Sequence, residues 1–400
     1  MLLTWKQRLA VVAGNAMEFY DIAVFAAIAP FLTQIMENHG YENATTLIWG
    51  MFALRFLLRP LGGYIVGNIA DYYGKKNALI MTSSLTGFAT LTMAALPTEL
   101  EYVVFYFLFL QIIQAFSFGG EYPTVINYLT NHSPKKEVAR TSCLIVASSI
   151  VGVLLSIAIV ETLKFTLSSE AMQSYGWRIP LLIGGVNIAV SFWFRSKLPK
   201  EVNTVVEKTK QSPRQWIPLF FISMGGAVVF YIQNLSSTIL QKSVDIPHFS
   251  LINSSLLLAC ILLSGYLTDK ITTPKHAFRT SSLAGALLYF PTYWLLTHAI
   301  TEVAIVGMLI ISIISAIILA NLAVVLAQIA KNQTVVLGLC YNIALSIFGG
   351  LTPLVVAMTT EYDASFVGLY AALCVIPALL SVHYSLTPPA QPHTPTLQQH

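Results

Sequence analysis

The run Arg55-Phe-Leu-Leu-Arg59-Pro-Leu-Gly-Gly-Tyr-Ile-Val-Gly67-Asn-Ile-Ala-Asp71-Tyr-Tyr-Gly74-Lys75-Lys76 governs how the rest of the chain is read. Its first half sets two arginines inside an apolar stretch that extends from Leu47 to Ala70. An apolar helix of this length spans a bilayer, and a charge near its middle costs several kcal/mol unless it is paired or wetted. The arginines therefore need partners. The second half, a cluster of glycine, aspartate and lysine, falls where the apolar run ends.

The same logic extends outward. The chain has 400 residues, 56% hydrophobic and 10% charged, whereas a soluble domain carries roughly 25% charged residues. This composition describes a polytopic membrane protein. The net charge of +4 is not spread as a basic patch with interleaved aromatics, so nucleic acid is not an expected partner; the lipid bilayer is, and the chain is expected to act as a monomer. Cys143, Cys260, Cys340 and Cys374 stand singly in apolar runs, which suits small buried residues and neither a metal nor a redox pair. The first apolar run resembles a signal peptide but is too long and carries Glu18 and Asp21, so it is expected to remain as the first span.

Polar breaks divide the chain into twelve apolar segments, at about 9–36, 47–70, 78–96, 102–130, 139–163, 177–196, 215–241, 249–267, 277–298, 302–329, 334–359 and 364–385. Alternate loops share lysine and arginine seventeen to three. The rich set, which counts Arg8, Lys75, Lys76, Arg140, Arg195 and Lys270 among its members, is expected to be cytoplasmic together with both termini. The longest polar stretch separates an expected N-terminal six-helix bundle (1–196) from a C-terminal one (215–385), with a linker at 197–214 and a proline-rich tail at 386–400 that is expected to be disordered. Gly67-x-x-x-Asp71 at the end of span two returns as Gly265-x-x-x-Asp269 at the end of span eight. Two bundles related by such a repeat are a transporter architecture, with the solute path between them.

Five charges fall inside spans. Counted from Leu9, Glu18 lies ~14 Å and Asp21 ~18 Å into a ~30 Å hydrocarbon core, three residues apart on one helix face. Arg55 and Arg59 share a face of span two, and Glu121 lies on span four below Gln111, Gln114 and Phe118. A structural ion-pair network is the plain reading, but ionisable groups at this depth are functional by default. Three carboxyls against two guanidiniums leave one acid without a counter-charge, and such a group can take up and release a proton. The candidate proton carriers are thus Asp21, Glu18 and Glu121. Arginine keeps its proton and makes a fixed anion-binding point, which assigns Arg55 and Arg59 to an anionic substrate, with Gln114 beside them. In the other half Tyr231, Gln233, Asn234, Asn321 and Asn342 are the candidate neutral contacts. Gly62-Gly63, Gly119-Gly120 and Gly349-Gly350 read as packing or bending points. Asp71 is placed to accept hydrogen bonds from the start of span eleven near Gln333 and Thr334, where the helix dipole favours negative charge, so that Gly67, Asp71, Gly74, Lys75, Lys76 and Asp269 form a cytoplasmic gate.

These residues resemble a known family. Gly67-Asn-Ile-Ala-Asp71-Tyr-Tyr-Gly74-Lys75-Lys76 is similar to the loop-two motif of the major facilitator superfamily, with Tyr72 where a basic residue is usual. Gly14-Asn-Ala-Met-Glu18-Phe-Tyr-Asp21, Leu58-Arg59-Pro60-Leu61-Gly62-Gly63, Gln114-Ala-Phe-Ser-Phe-Gly119-Gly120-Glu121-Tyr122, Trp177-Arg178-Ile179-Pro180 and the stretch from Tyr341 through Thr352-Pro353 resemble its metabolite:proton symporter family of proline/betaine, dicarboxylate, citrate and shikimate carriers. Glu18, Asp21, Arg59 and Glu121 match that pattern; Arg55 does not. The resemblance implies an all-α membrane protein with twelve transmembrane helices in two six-helix bundles with inverted repeats. It also implies alternating access and proton-coupled import across a bacterial inner membrane.

The expected function is therefore symport of a small anionic or zwitterionic metabolite that carries a carboxylate. The alternatives are a proton-driven exporter or a siderophore transporter of the same superfamily, and, in another class, a transporter-like receptor. No nucleophile-base pair, metal-ligand spacing or phosphate loop points to an enzyme, a metal or a cofactor.

Overall fold

The computed structural model describes residues 2–38, 40–98, 102–198 and 213–386. Within them the chain forms twelve long helices: α1 Trp5–Asn38, α2 Ala44–Tyr73, α3 Lys75–Ala95, α4 Val103–Asn131, α5 Val138–Thr166, α6 Arg178–Ser196, α7 Pro213–Gln233, α8 Phe249–Ile271, α9 Pro274–His298, α10 Thr301–Ala330, α11 Thr334–Tyr362 and α12 Phe366–Leu386. Nine are long and apolar enough to cross a membrane by length and composition among the described residues. The run in α2 is diluted by Arg55, Arg59 and its glycines, which places it outside that group. Chain breakers set the ends: Thr273 accepts from the His276 amide at 3.4 Å ahead of Pro274 in the first turn of α9. Lys331 terminates α10 in the left-handed region with φ 47°.

Two halves follow the same plan. α1 packs on α5, α2 on α4 and α3 on α6; α7 packs on α11, α8 on α10 and α9 on α12. The halves meet along two seams, α2 with α11 and α5 with α8, and these are equivalent pairs under the internal repeat. The end that carries the lysine- and arginine-rich loops is called the basic end below. There the seams are tight. Toward the opposite end they part around a cavity of ≈1230 Å³.

Most helix bounds agree with the apolar segments to within a few residues. Span seven is the main exception: α7 stops at Gln233, whereas the apolar pattern continued to 241. The Ser236 amide bonds back to the Tyr231 carbonyl at 2.8 Å and closes the helix, and a separate turn of helix, Ser237–Leu240, follows. Hydropathy does not register this because Ile239 and Leu240 remain apolar. α11 contains a π-helical turn at Leu345–Gly349, just ahead of Pro353, the kind of irregularity that often marks a functional site. The linker and the tail expected at 197–214 and 386–400 lie almost wholly outside the described residues.

Candidate functional site

The site is best followed from the basic end upward. Arg195, in the last turn of α6, is fully buried, and its Nη2 lies 2.6 Å from Glu121 Oε1 on α4. Its guanidinium also donates to the Leu79 carbonyl at 3.2 Å, the Val11 carbonyl at 3.3 Å and the Ser83 hydroxyl. Gly14 makes the space, since a Cβ there would overlap the guanidinium. This corrects the sequence reading in two ways. Arg195 is not a loop charge, and the intramembrane charges are three acids against three guanidiniums, so no acid is left over by count. Glu121 is the acid that Arg195 occupies.

The remaining four charges sit above this pair. Glu18 lies within the fields of Glu121, Arg59, Arg195 and Arg55, and Asp21 within that of Arg55. All four are at most 3% exposed, yet no ion pair within 4 Å joins them among the described residues. Asp21 Oδ2 instead accepts from the Thr90 hydroxyl at 2.6 Å and from Gln114 Nε2 at 3.4 Å, and Gln114 also donates to Thr90 at 2.8 Å. Glu18 Oε2, Asp21 Oδ1, both terminal nitrogens of Arg55 and Arg59 Nε are buried with no hydrogen-bond partner. The arginines lean on rings: Arg55 Cζ is 5.6 Å from the Phe25 centroid and 5.4 Å from that of Phe118, and Arg59 Cζ is 5.1 Å from that of Phe56. A cation on a ring face recovers part of its lost hydration, but ring faces accept none of the directed N–H bonds.

An aromatic layer covers this cluster and joins the halves. Phe56 meets Tyr231 edge-on at 6.1 Å, Phe19 meets Phe230 at 5.7 Å, and Tyr122 stacks on Tyr341 at 4.9 Å. Phe56 and Tyr231 also line the cavity above, and Tyr231 lies in the fields of Arg59, Glu18 and Arg55. Phe56 and Tyr231 thus border both the solvent-sized space and the charges.

The candidate neutral contacts divide. Tyr231 and Asn234 line the cavity. Gln233, Asn321 and Asn342 do not: Gln233 Nε2 donates to Tyr293 at 2.8 Å and its Oε1 accepts from Asn253, Asn321 donates to the Ile317 carbonyl and Thr268, and Asn342 donates to the Gly119 and Gly338 carbonyls at 2.6 and 2.7 Å. These three amides join helices. Gln114 belongs to the buried cluster. Gly62 and Gly119 let α2 and α4 approach closely, whereas Gly349 and Gly350 face the cavity.

At the basic end, Asp71 accepts from the Thr334 and Val335 amides at 3.0 Å each, the first free N–H groups of α11. Asp269 does the same at α5, accepting from the Ala139 and Arg140 amides at 2.9 Å each and from Arg140 Nε at 3.0 Å. Gly67 lies against Val335, and Gly265 against Cys143. Gly74, at φ 92°, turns the chain from α2 into α3, in the left-handed region that glycine tolerates. Lys76 Nζ donates to the Ser196 carbonyl at 2.7 Å and to that of Leu198, tying α3 to the end of α6. Lys75 is buried at the start of α3.

A family model described as Major Facilitator Superfamily matches residues 14–353. The chain belongs to the major facilitator superfamily. Its relatives include a putative proline/betaine transporter of Staphylococcus aureus strain COL, 30% identical over 384 residues that cover 88% of this chain and 81% of the relative. The alpha-ketoglutarate permease of Escherichia coli K12 is 26% identical over 365 residues, covering 84% and 83%. Among solved structures, the proton:xylose symporter XylE bound to 6-bromo-6-deoxy-D-glucose superimposes with a TM-score of 0.77 at 13% identity, covering 96% of this chain and 95% of that one. FucP in its outward conformation gives 0.63 at 12% identity, covering 94% and 99%. At these identities the structures speak for the fold alone. As a member of the major facilitator superfamily the chain is a multi-pass membrane transporter and not an enzyme.

Proposed function

We propose that the protein is a proton-coupled symporter that imports a small, carboxylate-bearing metabolite by alternating access. The observation that carries this reading is the state of Arg55: two donor nitrogens, buried beside Asp21 and one aromatic layer below the cavity, have no partner. A buried donor without an acceptor costs about 1–3 kcal/mol, more when charged, and an incoming carboxylate removes that cost with the fork geometry that suits a guanidinium. Arg59 completes the anion site. Asp21 and Glu18 each hold a buried oxygen without a partner and are the proton carriers. Glu121, held by Arg195, positions the cluster and is a weaker candidate.

The basic end faces the cytoplasm by the distribution of lysine and arginine, in a bacterial inner membrane. The cavity then faces outward, and the Asp71 and Asp269 contacts hold the inner side shut until substrate and proton are both seated. The relatives' names, proline/betaine transporter and alpha-ketoglutarate permease, support a carboxylate-bearing solute. Uptake into proteoliposomes under an imposed proton gradient tests the reading. Gradient-driven uptake is expected in the wild type and lost in Asp21→Asn with Glu18→Gln; uptake that still follows the gradient in that double variant rules out these carriers.

A further inference from the structure

The cavity above Phe56 and Tyr231 has a lining at odds with the charges beneath it. Its lining is mostly apolar, with Leu57, Leu154 and Ile157 from one half and Leu235, Leu251 and Leu354 from the other, and its polar groups, among them Gln241, Ser250, Ser254 and Ser346, come mainly from the C-terminal half. No Asp, Glu, Lys or Arg lines it among the described residues; Tyr231 and His248 are its ionisable side chains, and the other polar atoms come from neutral groups such as Asn234 and Thr238. Leu57, Leu251 and Leu354, which line it, are each more than half exposed. Its ≈1230 Å³ exceeds the ~300–1,000 Å³ of sites for drug-sized ligands.

Such a wall gains free energy by meeting apolar surface, and to a second charge it offers only neutral hydrogen-bonding groups and no fixed counter-charge among the described residues. A solute as small and polar as proline would leave most of it in water. A dicarboxylate would place its second carboxylate where no fixed positive charge meets it among the described residues. Only the layer below supplies fixed positive charge, at Arg55 and Arg59.

Resting on the symport reading above, we propose that the substrate is an amphipathic monocarboxylate. Its single carboxylate seats on Arg55 and Arg59 when Phe56 and Tyr231 swing aside, and an aliphatic or aromatic body occupies the cavity. Selectivity then runs by hydrocarbon content, away from the compact solutes named for the relatives.

The test is a binding series on the purified full-length protein in detergent, by thermal stabilisation, with sodium acetate, butyrate and hexanoate as probes beside adipate, 2-oxoglutarate, proline and betaine. Affinity is expected to rise roughly fourfold per added methylene, and adipate to bind at least about tenfold more weakly than hexanoate. Leu57→Ser combined with Leu354→Ser flattens the chain-length series. Arg55→Gln removes binding of the whole series; should that variant not fold, Arg55→Lys, which keeps the charge and loses the fork, weakens it throughout. If acetate, 2-oxoglutarate or proline binds as well as hexanoate, and does so only with Arg55 intact, the substrate class is overturned while carboxylate symport stands. A chain-length series that persists in Arg55→Gln reports partition into detergent and overturns the class as well. If no carboxylate binds in an Arg55-dependent way, both readings fall.

Discussion

Arg195 Nη2 and Glu121 Oε1 lie 2.6 Å apart with neither side chain more than 4% exposed, joining the last turn of α6 to the body of α4. Removing one partner leaves an uncompensated charge in a low-dielectric interior, which costs about 3–5 kcal/mol. Arg195→Gln is therefore expected to lower thermal stability sharply. Glu121→Gln combined with Arg195→Gln should recover most of the loss, because two neutral amides can still bond to each other and to the carbonyls around them. Thermal unfolding of the two single variants and the double variant measures the coupling; purely additive losses would mean that the ion pair is not what stabilises this corner.

The same corner makes a second, steric prediction. A Cβ at Gly14 would overlap the Arg195 guanidinium, and the obstacle is a side chain pinned by four polar contacts. Gly14→Ala should thus behave as a partial loss of Arg195, while Glu121→Gln should relieve part of its effect by releasing the guanidinium. The measurement is the melting temperature of Gly14→Ala in both backgrounds, and equal drops in the two would show that the methyl group acts elsewhere.

How much of this was legible beforehand depends on what each residue leaves in a linear pattern. The helix plan was legible because spans of ~20 apolar residues and biased loop charges are properties of the chain itself. The contact of Asp71 with the α11 amides could be anticipated because an acid at a helix end and a helix start across the gap are both local features. Arg195 was not legible in this way. An arginine followed by Ser196 and Lys197 at the end of an apolar run looks like any loop charge, and only the third dimension turns it inward. The pointer was indirect: three intramembrane acids against two bases read as a surplus acid able to carry a proton, and a third cation from elsewhere in the chain was the other way to balance them. The roles of Gln233, Asn321 and Asn342 were hidden for a related reason, since helical spacing gives the face of a residue but not whether that face meets a cavity or another helix.

Asp21 is held by Thr90 at 2.6 Å and Gln114 at 3.4 Å and keeps one oxygen without a partner. If Asp21 carries the coupled proton, Asp21→Asn should abolish accumulation against a gradient while leaving substrate counterflow within a few-fold of wild type, because exchange needs no net proton movement. Thr90→Val, which removes the strongest hydrogen bond to the carboxylate, should reduce the accumulation ratio by a smaller factor. Proteoliposomes assayed for both uptake and counterflow separate these effects. Loss of both activities in Asp21→Asn would place the residue in substrate binding or folding instead.

The Asp71 and Asp269 contacts at the basic end can be followed through a nearby cysteine. Cys143 is 3% exposed and packed under Gly265, one turn from the amides that hold Asp269. In this structure the closed α5–α8 seam buries it. A hydrogen bond to a charged group contributes about 1.5–3 kcal/mol, and each 1.4 kcal/mol is about tenfold in a population. Asp269→Asn should therefore speed alkylation of Cys143 by N-ethylmaleimide at least about tenfold, read by mass spectrometry of the peptide that contains it. If the two halves rock as rigid bodies, Asp71→Asn at the other seam should speed the same reaction, although Asp71 bonds to α11 and not to α5. Acceleration in Asp269→Asn alone would mean local fraying of α5 and would remove Asp71 from any shared gate, whereas acceleration in both ties the two seams to one motion.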